Sequence, residues 1–80
     1  MRCLEVVFAT DAAATDALNR FFTVYHIESG VSVRISRWLR HDNVLRFIGE
    51  DIELGKATAQ LLQMMRAPEI RWTDIRMLDI

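Results

Sequence analysis

The feature that most constrains this chain is the order of its hydrophobic periodicities. Stretches that alternate every second residue are interleaved with stripes that recur every three to four, and little punctuation separates them. The only proline is Pro68, and the glycines are Gly30, Gly49 and Gly55. Eighty residues with so few breaks predict one domain, residues 1–80, with short loops.

Residues 3–9 carry Leu4, Val6 and Phe8 in alternation with Cys3, Glu5 and Val7, the period of a strand. Thr10 and Asp11 are both able to cap a helix, because their side-chain oxygens accept orphan backbone N–H groups. Ala14, Leu18, Phe21 and Tyr25, flanked by Ala17 and Phe22, form one helical stripe. They predict a helix from Asp11 to about His26, stopped near Ser29-Gly30.

Alternation resumes over 31–39 and again over 44–49, separated by the polar loop Arg40-His41-Asp42-Asn43, so 31–49 is expected to be a hairpin. Leu54, Ala57, Leu61, Met64 and Met65 then predict a second helix, with Asp51 as its cap and Pro68 as its end. Residues 70–79 read as a last strand. Its apolar parity slips between Trp72 and Ile75, which predicts a bulge near Asp74.

The order β-α-β-β-α-β predicts an α+β fold, the ferredoxin-like two-layer sandwich, with a four-stranded antiparallel sheet and two helices on one face. Parity assigns Leu4, Val6, Phe8, Val31, Val33, Ile35, Leu45, Phe47, Ile70 and Trp72 to the covered side, and Leu39 alternates on the same side as Val31, Val33 and Ile35. It assigns Glu5, Val7, Arg34, Ser36, Trp38, Val44, Arg46, Ile48, Arg71 and Thr73 to the bare side. Arginines and a tryptophan among apolar residues are the chemistry of a contact surface. The expected partner-binding residues are Arg34, Arg37, Trp38, Arg40, Arg46 and Arg71.

Chemistry-bearing clusters are scarce. Cys3 has no histidine near it in sequence and reads as a small hydrophobe. His26 and His41 lie on separate loops without further ligands at zinc spacing. Glu50, Asp51 and Glu53 suit the positive end of the second helix without a metal. No glycine-rich phosphate loop exists, and the turn after the first strand carries Asp11 instead. Neither a catalytic residue nor a cofactor nor a metal is expected. A lone cysteine, the absence of an apolar run of about 18 residues and the lack of a leader-like start favour a cytoplasmic, reducing setting.

The net charge of −1 favours no partner class. Nine of the ten basic residues are Arg, and Arg34, Arg37, Arg40 and His41 concentrate positive charge in the hairpin. The stretch Asn43-Val44-Leu45-Arg46-Phe47-Ile48-Gly49 lacks the basic-glycine-aromatic order of an RNA-recognition strand. The reading is therefore a non-enzymatic module that contacts another protein or a protein–nucleic acid complex. Small phage inhibitors, anti-CRISPR proteins among them, are of this type, although no residue motif here ties the chain to them. Direct nucleic-acid binding through the hairpin arginines is the second reading, and a homodimeric regulatory subunit of a larger complex is the third.

Overall fold

The computed structural model describes residues 1–21 and 33–79. Its elements are β1 (Arg2–Phe8), α1 (Asp11–Arg20), β2 (Arg37–His41), β3 (Val44–Gly49), α2 (Asp51–Met64) and β4 (Trp72–Asp79). The architecture is α+β: one open four-stranded antiparallel sheet, in the order β2-β3-β1-β4, and two helices. The central strands β1 and β3 are the most buried, and the edge strands β2 and β4 are mostly exposed.

Thr10 starts α1, its hydroxyl accepting the Ala13 N–H at 3.1 Å. The buried side of α1 is built from Ala13, Ala14 and Ala17, whose small side chains let the helix lie close to the sheet, and ends at buried Phe21. The expected continuation through Phe22, Tyr25 and His26 to Gly30 lies outside the described residues, as does Val31. Leu54, Ala57 and Leu61 of α2 join the same core, with Met65 beyond its end. At the start of α2, Glu50 and not Asp51 occupies the cap position, and no side chain caps it.

The core lies between these helices and Leu4, Val6, Phe8, Leu45 and Phe47 of the sheet. Phe21 and Phe47 meet at its centre, ring centroids 5.0 Å apart and tilted by 33°. Val33 and Ile70, outside the strands, close it, and Ile35, Ile75 and Met77 pack against it.

Three expectations need correction. Residues 33–36 are not strand. The chain joins the sheet at Arg37, after the Ser36 N–H has bonded the Ile48 carbonyl at 2.9 Å. A Cβ at Gly49 would make close but ordinary contact with the Arg34 carbonyl, at 3.4 Å. The hairpin loop is the two-residue turn Asp42-Asn43, with Asp42 in the left-handed region at φ 53°, which Asp tolerates better than most residues. Trp72 stands across from Phe8 on the covered side, as expected, but is not buried there, being 40% exposed at the outer edge of the sheet. The expected bulge is present: the register shifts between Val7 and Phe8, so Asp74 faces Val7 while Trp72 faces Phe8, and Thr73 is the extra residue.

Phe47→Ala removes the ring that meets Phe21 at the core's centre. It is expected to cost about 3–5 kcal/mol. Small domains bury little surface, so urea unfolding should find the variant largely unfolded without denaturant.

Candidate functional site

Residues directly opposite one another in an antiparallel pair share a sheet face. This rule builds, row by row, the face that no helix among the described residues covers, called the uncovered face below. Leu39 faces Arg46, Arg46 faces Glu5, and Glu5 faces Arg76, so one row crosses all four strands. On one side of it runs Arg37, Ile48, Cys3 and Leu78. On the other runs His41, Val44, Val7 and Asp74.

Glu5 is the centre of this face, and it is only 3% exposed. Its Oε2 accepts the Arg46 Nε–H at 2.8 Å, with Nη2 of that arginine 2.7 Å away. Its Oε1 accepts the Arg76 Nε–H at 2.9 Å, with Nη2 at 2.8 Å. Each carboxylate oxygen is thus taken by one arginine. The hydrogen bond from Arg76, joined by that from Arg46 and by both positive charges, outweighs the burial that alone would raise the pKa. The carboxyl is held below its ordinary value. Both arginine side chains remain half exposed, because their stems lie over the sheet while their heads meet water. Cys3 is buried beside this row, and burial pushes its thiol upward, away from the thiolate a nucleophile needs.

Of the expected contact residues, Arg37 and Arg46 lie on the uncovered face. Trp38 does not. The tight turn sets His41 opposite Val44, which puts Trp38 opposite Phe47 on the helix side, where it is 48% exposed. Leu39, expected inside, takes its place on the uncovered face at 40% exposure. Arg40 shares the helix side and its Nη2 donates to the Asp11 carbonyl at 3.3 Å. Arg34 precedes β2 and its backbone N–H donates to Glu53 Oε2 at 3.1 Å, which holds that carboxyl low. Arg71 precedes β4, its carbonyl accepting the Ala9 N–H at 2.8 Å. The expected patch is therefore divided between two faces.

Arg76 was not among the expected contact residues. Its signal was a single charge between Ile75 and Met77, matching lone Glu5 and Arg46 in the neighbouring strands. At the β2 edge a cavity of about 320 Å³ is lined by Leu39, Arg40, His41, Val44 and Arg46. Among the described residues no group of three or more His, Cys, Asp or Glu is placed to hold a metal ion. No helix among them is long and apolar enough to cross a membrane. No family model, curated protein or solved structure matches the chain.

The pairing makes a signed prediction about pH. A carboxyl held low when folded contributes stability above its unfolded value and loses it as pH falls through the folded one. Replacing both arginines by methionine keeps their stems over Glu5 and removes its partners, so burial then raises its pKa. The contribution should reverse sign, present at low pH and lost as pH rises through the elevated value. Denaturant midpoints measured from about pH 2 to pH 7 should fall toward acid, below about pH 4, in the parent and toward neutral in Arg46→Met/Arg76→Met.

Proposed function

We propose that this chain is a non-enzymatic binding module whose uncovered sheet face docks on another protein. The observation that carries this reading is the row Leu39–Arg46–Glu5–Arg76. Two half-exposed arginines are held in place by a buried carboxylate, with Leu39, Val44, Ile48, Val7 and Leu78 around them. Their Nη1 groups make no hydrogen bond among the described residues, so each offers donors that are already oriented. Ordering arginine side chains before contact removes part of the entropy that binding would otherwise cost. The matching partner surface is apolar at its centre and carries carboxylates or carbonyl oxygens where the two guanidinium groups arrive.

The architecture supports the same reading. In the order β2-β3-β1-β4, β3 lies between β1 and β2, and β1 lies between β3 and β4. We read this order as two interleaved β-α-β units, the ferredoxin-like split arrangement, which would leave one sheet face free of helices. A module that acts by occupying a partner's surface, as small phage inhibitors do, needs nothing more.

Nucleic-acid binding is less well supported. Strand-face recognition of single strands rests on aromatic side chains that stack bases. The uncovered face carries no Phe, Tyr or Trp among the described strands, only His41 at its edge, Trp38 being on the other side. Two of its three arginines are already neutralised in part by Glu5.

Affinity capture from the native host, with the parent chain and with Leu39→Glu, tests the proposal. Leu39 is exposed, so the variant should fold as the parent does. The parent should retain a protein after nuclease treatment and at moderate salt, and Leu39→Glu should lose it. Recovery of nucleic acid, released steeply as salt rises, would overturn the proposal, as would equal retention by the variant.

A further inference from the structure

β4 is an edge strand, and among the described residues only β1 pairs with it. It is eight residues long, with no lysine or proline to discourage another strand from joining it. We propose that β4 pairs antiparallel with β4 of a second copy, joining the two sheets into one about a twofold axis at Ile75. This goes beyond the docking face proposed above and does not rest on it.

The argument is one of register. A self-pairing antiparallel strand keeps its faces matched only when the axis passes through a residue, because opposite residues must share a face. An axis at Arg76 sets Arg76 against Arg76 of the second copy. An axis at Met77 sets Arg76 against Leu78, and Ile75 against Asp79. An axis at Ile75 sets Asp74 of each copy against Arg76 of the other, and Ile75 against itself. Only this last register places opposite charges across the new seam, and it does so twice.

Both residues are placed to take part. Asp74 and Arg76 lie on the uncovered face, opposite Val7 and Glu5, and both side chains are more than half exposed. Within one chain they are paired only loosely, with 3.7 Å between Arg76 Nε and Asp74 Oδ2. In the paired form the uncovered row reads Arg46, Glu5, Arg76 and then Asp74 of the second copy. Charge alternates along the whole row, and Arg76 gains a carboxylate on its open side. Ile75 and Met77, half-buried on the helix side, carry the apolar layer toward the seam.

The other edge strand supplies the contrast. β2 is five residues long and carries Arg37, Arg40 and His41. Self-pairing about Leu39 would set Arg37 against His41 and Arg40 against Trp38. No opposite charges meet there, and basic side chains on a short strand are a common way of guarding an edge.

Sedimentation equilibrium of the full chain over a series of concentrations tests the proposal. The parent should pass from monomer to dimer mass as concentration rises, and more weakly at high salt. Asp74→Arg places like charges across the seam twice and should weaken dimerisation by about tenfold or more, with circular dichroism unchanged. Should that variant fail to fold, Asp74→Asn should weaken dimerisation by a smaller factor and reduce its salt dependence. Monomer mass at every concentration, or dimerisation unaffected by the Asp74 substitutions, would overturn the proposal.

Discussion

The uncovered face is organised by one buried anion. A carboxylate removed from water costs several kcal/mol unless its oxygens are satisfied. Glu5 sits mid-strand in β1, between the two strands that pair with it, and each neighbour brings an arginine to it. One contact spans β3, β1 and β4, and it ties register to electrostatics. A one-residue slip of either neighbour would carry its arginine to the helix side and leave the carboxylate half satisfied. The register of the sheet and the ionisation of Glu5 are therefore coupled.

The helix side depends on shape instead. Three alanines on α1 bring the helix close, and Phe21 and Phe47 fill the space that remains. The two sides of the sheet thus divide the work. Apolar packing supplies most of the stability, and the charged row sets which strands lie opposite which. That row also keeps two guanidinium groups half exposed, so the residues that organise the sheet are the ones the proposed docking would use.

Much of this was legible in the sequence. The order of elements followed from periodicity, and Leu4, Val6, Phe8, Leu45 and Phe47 are core residues as their alternation implied. The bulge in β4 was visible as a parity slip between Trp72 and Ile75. The site was less legible, for a physical reason. Alternation over 31–39 looked continuous, yet 33–36 are not strand, and the face of β2 is set by the turn at Asp42-Asn43 and by Phe47 across from Trp38. Trp38 and Leu39 therefore exchanged faces relative to the reading from period alone. Arg76 escaped because its role is a contact with Glu5, 71 residues away in sequence. Such a pairing belongs to strand order, which a local pattern does not carry.

The central claim is that Glu5 is an ionised, buried carboxylate held by two arginines. Its side-chain carboxyl carbon, followed by NMR through an acid titration of the folded protein, reports this directly. The account predicts a midpoint below the ordinary glutamate value of about 4.3. A midpoint at or above that value would mean that burial outweighs the arginines, and the charged row would not be the organising contact of the sheet.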